Sequence, residues 1–134
     1  MYTMKEACEK TGLSYETLQY YCNQGLVPNV KRDGQNHRIF DDRDVKWING
    51  LICLKNCSMG IAEMQQYVAL CLEGDGTIAQ RKAILEAKRQ ALEAERRRID
   101  EAIAYIDWKQ EYYENLLSGK SHDPSNQRYS GSTA

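Results

Sequence analysis

One row of apolar residues constrains this chain more than any other feature. Ile78, Leu85, Leu92, Ile99, Ile106 and Tyr113 recur at intervals of seven, in a stretch from Thr77 to Leu117 that holds neither Gly nor Pro. A single helix through that stretch is about 60 Å long at 1.5 Å per residue, too long to fold back on one small domain. The companion row is poor, with Arg81, Lys88, Glu95 and Ala102, while Ile84, Ala87, Ala91 and Ala94 flank the seam. A single apolar stripe with small neighbours calls for a partner helix. The chain offers no second long helix, so homodimerisation through Leu85, Leu92, Ile99, Ile106 and Tyr113 is the expected solution.

Upstream, the pattern is that of short capped helices. Thr3-Met4-Lys5-Glu6 has capping-box spacing, and Gly12 closes the first helix. Ser14 caps a second, in which Leu18, Tyr21 and Cys22 share a face before Gly25 stops it. Two short helices joined by Thr11-Gly12-Leu13 match a helix-turn-helix, with Ala7 and Leu18 at the crossing. Asp33-Gly34 then lies between the short extended runs Val30-Lys31 and Ile39-Phe40, which predicts a hairpin wing on a type I′ turn with positive φ. Asp41 caps a helix with Val45, Ile48 and Ile52 on one face; Ser58-Met59-Gly60 interrupts, and a fourth helix carries Ile61, Met64, Tyr67, Val68 and Cys71. The expected organisation is a winged domain over 1–76, a dimerisation helix over 77–117, and a flexible polar tail over 118–134. The fold class is mainly α.

Charge narrows the functional classes. Eighteen Lys and Arg face nineteen Asp and Glu in 134 residues, for a net charge of -1, and residues 1–70 hold eight of each sign. The chain is no generic polycation, and long-range attraction to nucleic acid is weak. A local surplus remains between residues 31 and 38, where Lys31, Arg32 and Arg38 outnumber Asp33. No apolar run approaches the ~20 residues of a membrane helix, and Lys5, Glu6 and Glu9 stand where a signal peptide would be apolar. A cytoplasmic protein is expected. Five Cys, an odd number, favour reduced thiols over a disulfide framework, and two isolated His, His37 and His122, argue against a structural zinc site.

These residues in this order resemble a known family. Met1-Tyr-Thr-Met-Lys-Glu-Ala7, Thr11-Gly-Leu-Ser14, Thr17-Leu-Gln-Tyr-Tyr21, Gly25-Leu-Val27, Asn36-His-Arg-Ile-Phe40 and Asp44-Val45 look like the N-terminal domain of MerR-type regulators. The resemblance covers about residues 2 to 72, and the family's long dimerisation helix continues it. It implies a winged helix-turn-helix followed by an antiparallel coiled coil, and no enzymatic activity or cofactor. It places Ser14 to Gln24 on the recognition helix, with Tyr15, Glu16, Thr17, Gln19 and Tyr20 facing DNA and Lys31, Arg32, His37 and Arg38 on the wing. Arg and Tyr in these places make charge-assisted and neutral contacts to phosphate. The family usually has Arg where Glu16 and Gln19 stand here, and an acidic residue at Cys22. The implied partners are a second copy, two-fold promoter DNA and RNA polymerase at that promoter, and the implied mechanism is distortion of the promoter. An alternative is an interaction module that keeps the fold without specific DNA binding.

The effector reading rests on what is missing and what remains. Metal-sensing members carry a Cys near the start of the long helix, where this chain has Gly76-Thr-Ile-Ala79, so no metal site is expected. Trp47 to Lys55, Met59, Tyr67 to Gly74 and Thr77-Ile78 look like a branch that senses aldehydes or other electrophiles through one thiol, as part of a stress response. Cys53 falls at that thiol's position, and cations such as Lys55 or Arg43 would favour its thiolate. On residue type alone, a Cys on an apolar helix is also an ordinary packing residue. Tyr105, Trp108 and Tyr112 form an aromatic stripe, read as dimer core, with an apolar effector pocket as the alternative. A thiol enzyme is disfavoured, because the chain has no Cys-x-x-Cys pair and no Gly-rich cofactor loop.

Overall fold

The computed structural model describes residues 1–119. The part of the predicted tail from 120 on, His122 included, lies outside the described residues. Helices α1 (Met4–Thr11) and α2 (Tyr15–Asn23) are followed by strands β1 (Lys31–Arg32) and β2 (Arg38–Ile39). Then come α3 (Asp42–Asn56), α4 (Ile61–Glu73), a 3₁₀ turn (Asp75–Thr77) and α5 (Ile78–Leu117). The chain forms two compact units, Met1–Arg89 and a second beginning at Gln90. Among the described residues, no helix is long and apolar enough to cross a membrane.

The first unit is built on helix ends that satisfy themselves. The Glu6 N–H donates to Thr3 Oγ1 at 3.2 Å, and the Thr3 N–H donates back to Glu6 Oε1 at 3.0 Å. Accepting from the Thr3 backbone N–H, and to a lesser degree from the Thr3 side chain, holds the Glu6 carboxyl below its ordinary range. Gly12, at φ 79°, then turns the chain as only a residue without Cβ does freely. Ser14 Oγ accepts from the Thr17 N–H at 3.1 Å and starts α2 three residues later. The two helices cross on Ala7 and Leu18, both fully buried, and Leu26, Phe40, Ile48 and Met64 extend this core to α3 and α4.

The wing differs from its expected form. β1 and β2 pair antiparallel, with Lys31 opposite Ile39 and Arg32 opposite Arg38. The connection runs from Asp33 to His37, and its positive φ lies at Asn36 (66°), not at the Asp33-Gly34 pair. The cause is the Asp33 carboxylate, whose Oδ1 accepts from the N–H groups of Gln35 and His37, each at 2.9 Å. That Asx-type turn replaces the two-residue I′ turn, and Asn is among the few residues that tolerate the left-handed region. Tyr2 adds a bridge to Phe40 on the other side of β2, with N–H to O distances of 2.6 and 2.8 Å.

Asp41 caps α3 reciprocally with Asp44, at 2.8 and 3.0 Å. Lys31 Nζ joins them from β1, 3.0 Å from Asp41 Oδ2 and 3.6 Å from Asp44 Oδ2. These bonds hold the Asp41 carboxyl at about 2, chiefly through the Asp44 N–H and then through Lys31. At the other end of the unit, Thr77 Oγ1 accepts from Arg81 Nε at 3.0 Å, while Arg81 Nη2 donates to the Gly74 carbonyl at 2.7 Å. Lys88 Nζ meets Glu63 Oε2 at 2.7 Å, and Ile84 packs on the core. The first turns of α5 are thus part of the winged unit.

The second unit continues α5. Leu92, Ile99, Ile103, Ile106 and Tyr113 are 37–54% exposed, as Ile78 and Leu85 are in the first unit. Trp108 and Tyr112 stack with ring centroids 5.7 Å apart and planes 4° from parallel, and Tyr105 lies 6.2 Å from Trp108.

Candidate nucleic-acid interface

The burial pattern of α2 separates its two jobs. Leu18 and Tyr21 face the core, while Tyr15 (56% exposed), Glu16, Gln19 and Tyr20 (47% exposed) face outward. A polar groove of about 400 Å³ runs between α1, α2 and the wing, and it gathers Tyr15 and Gln19 from α2 with Arg32, His37 and Arg38 from the hairpin. Five of the expected contact residues, drawn from two separate segments, therefore line one concave surface. Lys5 of α1 lines it as well, a residue that sequence reasoning assigned only to the helix start. Proximity to the wing in the fold, not any local motif, identifies it.

The wing cations are held in place. Arg38 Nη2 donates to Asn23 Oδ1 at 2.6 Å, which ties β2 to the end of α2. Arg32 Nη1 donates to the Asn36 carbonyl at 2.9 Å. Each guanidinium retains further N–H donors in its fork, so each remains able to hold a phosphate oxygen. His37 Nδ1 is 3.8 Å from Asp33 Oδ2, and its side chain is 72% exposed. Lys31 is placed differently. It lines a separate surface with Asn29, Asp41, Arg43 and Asp44, and its ammonium is engaged by the two carboxylates that cap α3. Its hydrogen bond to Asp41 raises its pKa above the ordinary lysine value.

The remaining α2 residues expected to face DNA sit on a second groove of about 400 Å³. Glu16, Thr17 and Tyr20 line it with Tyr21, Lys55 and the N-terminus of α4 at Gly60 and Ile61. Thr17 Oγ1 accepts from Ser14 Oγ at 2.9 Å and belongs partly to the helix cap. Tyr21 is 2% exposed, and its hydroxyl is buried without a hydrogen-bond partner among the described residues. Lys55 and Glu16 put one charge of each sign on this groove, and the Gly60 N–H at the start of α4 is already taken by the Glu63 carboxylate at 3.3 Å. Tyr21 was expected only as packing; the orphaned hydroxyl leaves no trace in the sequence.

Cys53 lies exposed on α3, with Cys57 half-buried one turn on. The cations expected to assist it are elsewhere. Arg43 is ten residues up the helix, about 15 Å at 1.5 Å per residue, and Lys55 is about 200° around the axis, on the recognition-helix groove.

A capped helix pair, a hairpin wing and a basic concave surface between them define a winged helix-turn-helix protein. Residues 2–70 match the family described as MerR HTH family regulatory protein. An uncharacterized HTH-type transcriptional regulator of Haemophilus influenzae is 32% identical over 113 residues, 84% of each chain. The transcriptional regulator AdhR of Bacillus subtilis is 39% identical over 87 residues, 65% of this chain and 62% of that one. The crystal structure of HiNmlR, a MerR family regulator lacking the sensor domain and bound to promoter DNA, is similar with a TM-score of 0.73 at 31% identity. That likeness covers 90% of this chain and 95% of the other. The chain belongs to the MerR family of helix-turn-helix transcriptional regulators, which are not enzymes.

Proposed function

We propose that this regulator binds a two-fold promoter site as a homodimer and controls transcription by deforming that DNA. One observation carries the reading: Tyr15 and Gln19 share a groove with Arg32, His37 and Arg38, so base-reading and phosphate-holding groups sit side by side. HiNmlR, crystallised on promoter DNA, supports it by similarity. Two copies are required because the exposed row from Leu85 to Tyr113 has no cover within the described chain. An antiparallel pairing of two α5 helices would set the spacing of the two half-sites.

Deformation suits a nearly neutral domain. Bending a short site by tens of degrees costs on the order of 1–6 kcal/mol, within reach of a modest rearrangement at a dimer seam. RNA polymerase is the partner that reads the result. Gln19 offers hydrogen bonds without charge, and Glu16 accepts from a cytosine amino group where it faces a base edge. For effector response, the exposed Cys53 is the group to attack an electrophile such as an aldehyde.

Footprinting over candidate promoters in low and high salt tests the DNA reading. A protected two-fold site that weakens with salt is the expected result. Absence of any protected site at low salt favours the interaction-module reading instead, for which Glu16 on the outer face of α2 is the motive. In promoter transcription, Cys53→Ser is expected to keep DNA binding and remove an aldehyde response.

A further inference from the structure

A further concavity lies between α3 and α4, lined by none of the residues of the two α2 grooves. It has a volume of about 430 Å³, within the range of small-molecule sites, roughly 300–1,000 Å³. Leu51 and Val68, 2% and 4% exposed, form its apolar base, with Leu54 beside them. Trp47 is a fixed wall, because its indole N–H donates to the Leu26 carbonyl at 2.7 Å. Tyr67 and Cys71 close the α4 side.

Gly50 is the telling residue. It stands in the middle of α3 without a positive φ, where Gly is the poorest helix former short of Pro. A Cβ built there meets nothing within 4 Å, so no neighbour in the fold requires a glycine. What its missing side chain provides is open volume in the wall of this cavity. Arg43 and Lys46 stand on the same side of α3 and line the cavity as well. Unlike Lys31 and Lys88, neither is in an ion pair among the described residues.

We propose that this cavity binds a small organic anion: a flat apolar body against Trp47 in the space left by Gly50, with its carboxylate or sulfonate on Arg43 and Lys46. The proposal is independent of the DNA reading, since none of these residues lines the recognition grooves. An amphipathic anion fits because the walls are apolar and the charge is confined to one side.

The test uses the full chain in a Trp108→Phe background, which leaves Trp47 as the single tryptophan. Energy transfer from Trp47 reports binding of 1-anilinonaphthalene-8-sulfonate and of its uncharged relative N-phenyl-1-naphthylamine. Saturable binding of both is expected, and Gly50→Leu, which fills the cavity, is expected to weaken both about tenfold or more. Gly50→Ala, which adds one methyl group in open space, keeps the helix signal and shows a smaller loss. Arg43→Gln with Lys46→Gln is expected to weaken the sulfonate about fivefold and leave the neutral probe unchanged. The proposal is overturned by absence of binding, by binding indifferent to Gly50→Leu, or by equal effects of the charge changes on both probes. Binding that appears only when Leu92→Lys separates the copies also overturns it, because a second copy would then cover the groove.

Discussion

The winged unit and the second unit use similar apolar residues to opposite ends. In the first, Ala7, Leu18, Leu26, Phe40 and Ile48 are fully buried in a core drawn from four helices and the hairpin. In the second, Leu92, Ile99 and Ile106 remain exposed along one helix. The first therefore carries its own hydrophobic driving force, whereas the second would obtain it only by associating with another helix, as in the proposed dimer. The difference teaches that hydrophobic content does not decide stability. What decides it is whether the chain brings an opposing surface to each apolar stripe.

The sharpest way to break the first half of this comparison is Phe40→Ala, which removes the largest fully buried side chain. It is expected to cost about 3–5 kcal/mol and melt the winged unit in a thermal scan. A loss below about 1 kcal/mol would show that the core does not rest on Phe40. Next in size, Leu92→Lys puts a charge into the exposed row and is expected to raise the dimer dissociation constant about 100-fold, or ~2.7 kcal/mol. Sedimentation reads that change, while near-UV circular dichroism of the winged unit stays constant. An unshifted dimer would refute the seam.

Smaller effects sharpen the contrast within the wing. Arg38→Ala is expected to weaken binding to all DNA sequences alike and to reduce the salt slope by about one unit, measured by fluorescence anisotropy across ionic strength. Lys31→Ala should leave that slope unchanged, because its ammonium is engaged at the cap of α3. The smallest effect concerns pH. The folded Asp41 carboxyl lies at about 2, below its ordinary 3.8, so its contribution is present above 3.8 and lost as pH falls through 2. Asp41→Asn is expected to flatten the acid limb of the stability curve in that window. An acid limb as steep as before would assign it to other carboxylates.

Capping boxes, heptad spacing and the glycine at position 12 are local signals, and each names an element directly from neighbouring residues. That is why the helices and their order were legible, and why the outward face of α2 was too. The wing turn was misread because the Asp33 carboxylate takes the N–H groups of Gln35 and His37, and the left-handed residue is then Asn36 and not Gly34. Lys31 carries the same charge as Arg32, and its capture by Asp41 depends on a contact ten residues away. The Tyr21 hydroxyl, Lys5 and the Gly50 cavity likewise arise where separate segments meet, and periodicity along the chain holds no record of such meetings.

The corner closed by Thr77 and Arg81 has a mechanical meaning. Oxygens of Leu70, Gly74 and Thr77, tied together by the Thr77 hydroxyl and the Arg81 guanidinium, leave little slack between the end of α4 and the first turns of α5. A twist applied to those turns would reach Met64 and Val68 as torque on a stiff lever, with no loose joint in between to absorb it.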